Sequence, residues 1–196
     1  MAESTTEDAE AESEAPAKPK RITKRKAVEQ HARSYFEAIA SRDLEALAGH
    51  WSEDGVEDLV PIGPLRGRDG IKDFFREMFA AMPDGQLTLQ RIVAGERLAA
   101  VEWRVTGTFS GGPFQGIDPT GKPVELRGLD LLEIADGEIV SNSAYFDGMA
   151  FARQVGMMPA QDSGTERAMK GAFNAMTKAR RMIAERTGSG GESTVL

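Results

Sequence analysis

Three polar side chains in this sequence fall on stretches that otherwise read as apolar. In Val124, Leu126, Gly128, Asp130, Leu132 and Ile134, alternate positions share one strand face, because side chains project with period two. Asp130 is the single carboxylate on that face. Asp58 stands between Val56 and Val60 in a second short strand-like segment, Gly55 to Ile62. Tyr35 joins Val28, Ala32, Phe36 and Ile39 at helical spacing, on the apolar stripe of a helix. An ionised carboxylate without a partner is costly in apolar surroundings, so each acid must be solvated at a cavity, hydrogen-bonded or held neutral. Groups under that constraint are candidates for acid–base chemistry. Taken singly, Tyr35 also reads as a core tyrosine with its hydroxyl satisfied, and Asp58 as a turn or pocket-rim residue.

The elements that must carry these residues can be read in order. A helix is expected from about Thr23 to Ser41, and a second opens at Asp43, an N-cap, with Leu44, Leu47, Ala48 and Trp51 inward. The second ends near Ser52-Glu53-Asp54-Gly55. After the short strand, Gly63 to Gly67 reads as a loop, and Ile71, Phe74, Phe75, Met78 and Phe79 mark a third helix, which Pro83-Asp84-Gly85 stops. Strands are expected next at Gln86 to Val93 and Arg97 to Phe109. A hairpin from Lys122 to Gly148 closes the run, turned at Ala135-Asp136-Gly137 by residues suited to positive φ. Ahead of the hairpin, Ser110 to Gly121 is rich in Gly and Pro and suits a mobile cover over a cavity mouth. Helices before a run of antiparallel strands give an α+β fold with helices on one face of a curved sheet. Trp103 and Phe146 are expected as pocket walls or core.

The chain has 196 residues, 40% of them hydrophobic, which suits one domain, expected over residues 23–160, with tails. Residues 1–22, acidic and then basic, read as disordered, as do residues 188–196. Between them, residues 161–187 form an amphipathic C-terminal helix. Its stripe is Met169, Ala172, Phe173, Met176 and Ile183, opposite Arg167, Lys170, Lys178 and Arg181, and it is expected to dock on the domain or on a second subunit. Ser163 and Glu166 suggest a capping box, and Asp147 a cap for a short helix from Gly148. The net charge of -7 argues against a nucleic-acid partner. With 0 cysteines there is no thiolate site, and His31 and His50 have no ligand-spaced partner, so no metal is expected. No apolar run reaches the roughly 20 residues of a membrane span, so a cytoplasmic protein is expected.

Three motifs carry a family resemblance: Tyr35 to Leu47, with its Tyr-Phe-Glu-Ala and Asp-Leu-Glu-Ala-Leu; Gly63 to Ile71, Gly-Pro-Leu-Arg-Gly-Arg-Asp-Gly-Ile; and Gly116 to Lys122, Gly-Ile-Asp-Pro-Thr-Gly-Lys. With the order of elements, they make residues Ala27 to Gly156 resemble the nuclear transport factor 2-like superfamily, and within it the SnoaL-like polyketide cyclases and ketosteroid isomerases. That resemblance implies a cone: a strongly curved antiparallel sheet wrapped around three N-terminal helices, with an apolar pocket for a small hydrophobic ligand. It also implies a homodimer through the outer sheet face.

The ketosteroid isomerase pattern, which is a standard example of a carboxylic acid kept neutral to donate a hydrogen bond, falls on Tyr35, Asp58 and Asp130. The resemblance makes Asp58 the base, and Tyr35 with a protonated Asp130 the donors to an enolate oxygen, with no cofactor. The SnoaL-like cyclases place their acid on the last strand, at a position that is Ala144 here. Proton transfer on an enolisable polycyclic or terpenoid ketone is therefore the expected reaction. A binding module with the same pocket, and a scaffold that recruits a protein partner through its tails, are the alternatives.

Overall fold

Thr23 accepts the backbone N–H of Lys26 and opens α1 (Lys24–Ser41), which turns at Arg42 in the left-handed region, φ 60°. The Arg42 guanidinium then donates to the carbonyls of Phe79, Met82 and Gly85, at 3.2, 2.6 and 2.9 Å. One side chain thus links the end of α1 to carbonyls at the end of the third helix and in the turn just beyond it. The computed structural model describes residues 23–60 and 62–188, the last three by backbone alone. Of the tails expected at 1–22 and 188–196, residues 1–22 and 189–196 lie outside the described residues, and Gly188 belongs to the last helix.

After α1 come α2 (Leu44–Gly49), β1 (Trp51–Val60), β2 (Gly63–Arg66), α3 (Gly67–Ala81), β3 (Gln86–Ala94), β4 (Leu98–Phe109), β5 (Lys122–Ala135), β6 (Glu138–Phe146), α4 (Gly148–Gln154) and α5 (Gly164–Gly188). The class is α+β: one curved sheet of order β2-β1-β6-β5-β4-β3, with α1 against β3 and β4 and α3 against β1 and β2. Tyr35, Phe36 and Ile39 of α1 and Ile71, Phe74 and Phe75 of α3 meet Trp51, Val101, Leu132 and Ile139 of the sheet in the main core. Each such side chain, fully buried, contributes about 1.5–3 kcal/mol. Asp147 caps α4 by accepting the Ala150 N–H at 2.9 Å.

Four local readings are corrected. Trp51 does not belong to the second helix: α2 ends at Gly49 and Trp51 begins β1, with its ring against Gly55, where a Cβ would lie 2.7 Å from it. The stretch read as a loop, Gly63 to Gly67, contains strand β2, antiparallel to β1. The sheet is not wholly antiparallel, because β1 runs parallel to β6; the long connection between them supplies the crossover that a parallel pair needs. Finally, the inward face of β1 carries Gly55, Glu57 and Leu59, not Val56, Asp58 and Val60. Between Trp51 and Val56 the register with β6 slips, five residues on β1 spanning two on β6, and that irregularity sets the parity of the rest of the strand.

Of the two placements expected for the C-terminal helix, on the domain and on a second subunit, the first is limited to one turn. The first turn of the helix is anchored: Glu166 accepts from Arg153 at 2.7 Å and from the Asp162 N–H at 2.8 Å, and Ser163 accepts the Glu166 N–H at 3.1 Å. Beyond that turn the stripe does not dock on the domain, and Met169, Phe173 and Met176 are 45%, 62% and 48% exposed. Periodicity specifies that a helix has an apolar face but not what the face meets. Among the described residues no helix is long and apolar enough to cross a membrane.

Candidate functional site

The inner face of the sheet is laid out in rows by its register. Leu65, Glu57, Asn142, Leu132 and Ala99 form one row across β2, β1, β6, β5 and β4. The next holds Leu59, Ala144, Asp130 and Val101, and the one after it Phe146, Gly128 and Trp103. Three polar side chains therefore stand close together on a face that is otherwise apolar: Glu57, Asn142 and Asp130, which are 1%, 1% and 6% exposed. Tyr35, fully buried on α1, reaches them from the helical side.

They form one hydrogen-bonded chain. The Tyr35 hydroxyl donates to Glu57 Oε2 at 3.5 Å, a long contact. The single amide nitrogen of Asn142 donates both ways, to Glu57 Oε1 at 2.9 Å and to Asp130 Oδ2 at 2.7 Å. Trp103 Nε1–H completes the chain at Asp130 Oδ1, 2.7 Å away. This last bond depends on Gly128, the register partner of Trp103 on the neighbouring strand. A Cβ on Gly128 would lie 2.1 Å from the indole, so a residue without a side chain is required for the ring to lie there.

The charges are set by burial and donor supply. Burial raises Asp130 to about 6, against the pull of the Trp103 and Asn142 donors. Glu57 is raised well above its ordinary range, first by burial and then by the negative charge of Asp130. Two short N–H bonds favour the ionised form of Asp130, whereas Glu57 receives one N–H and a long phenolic contact. Burial and donor supply together therefore favour the negative charge on Asp130 and the proton on Glu57. Tyr35 is held neutral, its pKa pushed well up by burial and then by Glu57 and Asp130.

Of the residues expected at the site, the structure brings Tyr35 and Asp130 together and sets Trp103 and Phe146 in the row beside Asp130, on either side of Gly128. Asp58 is not brought to the group. Its side chain lies on the opposite face of β1 from Glu57, half-buried. Ala144 faces inward directly across from Asp130. Sequence reasoning misses Glu57 and Asn142. Asn142 carries a signal, since it shares parity with Ala144 and Phe146 on β6; Glu57 has a weaker one than Asp58, because Val56 and Val60 share the parity of Asp58 and only Leu59 that of Glu57. His31 and His50, paired with their rings edge-on and nitrogens 3.3 Å apart, lie outside the chain of polar groups.

Comparison with known proteins agrees with the fold. A family model described as SnoaL-like polyketide cyclase matches residues 29–155. A steroid Δ-isomerase from Nocardioides simplex is 31% identical over 113 residues, 57% of this chain and 83% of the relative. Among solved structures, IdmH, a candidate polyketide cyclase from Streptomyces antibioticus, is 31% identical, with a TM-score of 0.56 over 65% of this chain and 97% of that one. A candidate SnoaL-like polyketide cyclase from Jannaschia sp. CCS1 shares the fold at 17% identity, with a TM-score of 0.64 over 72% of this chain and all (100%) of the other.

Proposed function

The chain belongs to the SnoaL-like polyketide cyclase family, and from that premise we propose that it catalyses cofactor-free proton transfer on an enolisable polycyclic or terpenoid ketone. The observation that carries this reading is the pair of buried acids, Glu57 and Asp130, bridged by the one Asn142 amide nitrogen. In this assignment Asp130 is the base. Its carboxylate takes a proton from the carbon next to the ketone, and the C–H electron pair moves into the carbonyl to give an enolate. A base with a pKa near 6 suits this task close to neutrality, where it is ionised yet still able to hold the proton it accepts.

A carboxylate in water is too weak for such a step, so the enolate oxygen needs preorganised donors in a dry site. Tyr35 and the protonated Glu57 are two O–H groups placed side by side for that role. The donor and base roles are thus redistributed from the expected trio: Asp130 takes the base role expected of Asp58, and Glu57 takes the donor role expected of Asp130. Trp103 and Phe146, flanking Gly128, provide aromatic surface for an apolar ring system. Return of the proton from Asp130 to another carbon gives an isomerase. Attack of the enolate carbon on a second carbonyl, whose oxygen then takes the proton from Asp130, gives a cyclase.

The outer sheet face exposes Val93, Leu129, Leu131 and Tyr145, which supports a homodimer through that face.

The test is an ultraviolet titration with fused-ring phenols, which imitate a dienolate. Bound phenol is expected to ionise below its solution pKa, and this effect should be lost in Tyr35→Phe and in Glu57→Leu. Binding without ionisation would favour a carrier with the same pocket, and no binding would favour a scaffold.

A further inference from the structure

The connection between β4 and β5 is built as a closed loop with a separate tip. Its base is shut where the N–H groups of Thr120 and Gly121 both donate to the Phe109 carbonyl, at 3.1 and 2.7 Å. Its first arm lies flush on the end of α3: Ser110 and Gly111 donate to the Ala81 carbonyl and Gly112 to that of Ala80. A Cβ on Gly111 would sit 1.9 Å from the Ala80 oxygen, so the arm admits no side chain there. The tip then closes on itself, with Phe114 and Ile117 exchanging both backbone hydrogen bonds across Gln115 (φ 50°) and Gly116 (φ 74°). Such a turn needs nothing from the rest of the protein to satisfy its backbone.

Two attachments hold this tip down. The Gln115 N–H donates to Glu77 Oε1 of α3 at 2.6 Å. The Phe114 ring lies between Phe74 of α3 and Phe151 of α4, with centroids 5.7 and 6.0 Å away, and packs against both core clusters, as Trp103 does. Trp103, which shares both of these clusters with Phe114, donates its indole N–H to the buried Asp130. We infer that residues 110–121 are a gate to the Asp130 site, with Phe114 as its plug, the Gln115 to Glu77 bond as its latch, and the Gly111-Gly112 arm and Gly121 as its hinges. Phe114 then sets the size of ring that can enter. The gate is assigned from where the buried site lies, not from the chemistry proposed for it.

The absence of cysteine makes the gate measurable without a substrate. Ala144→Cys puts the sole thiol of the chain opposite Asp130, and Ala38→Cys puts one in the core on α1. The rate of thiol modification by methyl methanethiosulfonate is read in each of these two variants. In the Ala144→Cys chain, addition of Glu77→Ala should raise the rate about tenfold or more and Phe114→Ala further, while Glu77→Gln, which keeps an acceptor oxygen, should stay near the parent. In the Ala38→Cys chain, all rates should be unchanged. Equal rates in every background of Ala144→Cys would overturn the gate, and so would a parallel rise in Ala38→Cys, which would mean general loosening. Should Ala144→Cys not fold, acrylamide quenching of tryptophan fluorescence in the cysteine-free chain decides instead. An increase of at least about twofold in the quenching constant with Glu77→Ala and Phe114→Ala supports the gate, and no increase overturns it.

Discussion

Glu57 faces Asn142 across the parallel pair of strands in the sheet, its Oε1 2.9 Å from the amide nitrogen. The contact ties the first strand of the domain to the last. It also decides which of two adjacent acids enters the core, since the register that brings Glu57 to Asn142 sends Asp58 to the other face.

Substitution separates the roles of these acids. With an enolisable ketone as substrate, Asp130→Asn should lower kcat by about 10²–10⁴-fold, the usual weight of a positioned base. Tyr35→Phe should cost on the order of 10²-fold as a lost oxyanion donor. Asp58→Asn should stay within about threefold of the parent, because its side chain does not reach the site. Steady-state kinetics across pH checks the order, and the rate should climb as pH rises through about 6, where Asp130 loses its proton.

The same acid should weaken the fold. A carboxyl whose folded pKa is raised contributes fully when protonated, and stability falls as pH rises from its unfolded value through about 6. Asp130→Asn should therefore be more stable than the parent at pH 8, by on the order of 1–3 kcal/mol, and should flatten the slope between about pH 4 and 6. Urea unfolding at a series of pH values measures both. A variant that is inactive yet more stable is the expected signature of an acid kept for chemistry.

Gly128→Ala should act on Asp130 at one remove. The added methyl displaces the Trp103 ring, and the indole N–H no longer reaches Asp130. The loss of a donor to the ionised form should move the Asp130 pKa further up, and overpacking should cost about 1–3 kcal/mol. The pH–rate profile would shift to higher pH and the tryptophan emission would change together. An unchanged profile would show that Trp103 does not tune the acid.

At the other end of the domain, Glu166 is held down to about 2, first by the Asp162 N–H and then by Lys170, with Arg153 adding a further bond. A lowered carboxyl contributes in full above its ordinary value and loses that contribution as pH falls toward about 2. Amide exchange of residues 162–167 should accelerate over that interval. Glu166→Gln should show the faster exchange already at neutral pH.

Much of this is legible in residue order alone. The hairpin turning at Asp136-Gly137 fixes the parity of β5, so Asp130 reads as an inward acid, and the 3.6-residue spacing on α1 does the same for Tyr35. Parity fails on β1 because Val56, Leu59 and Val60 divide between both faces, while the irregularity after Trp51 that decides the matter depends on a strand more than 80 residues away, Trp51 pairing with Ile139. Asn142 is only half legible: its parity with Ala144 and Phe146 turns it inward, but nothing in the residue order gives it a partner. A lone amide among serines on β6 shows no role until two acids from other strands are placed beside it.

The parallel pairing of β1 with β6 also orders events during the making of the protein. Glu57 has neither its amide partner nor its neighbouring acid until β5 and β6 are available, so while the chain emerges it is a solvated carboxylate with an ordinary affinity for protons. Closure of so long a segment comes before its contacts can compensate, which slows folding in topologies of this kind. The uptake of a proton by Glu57 should then coincide with the final assembly step, and refolding near neutral pH in a weak buffer with a pH indicator should show that uptake in the same kinetic phase as the burial of Trp103.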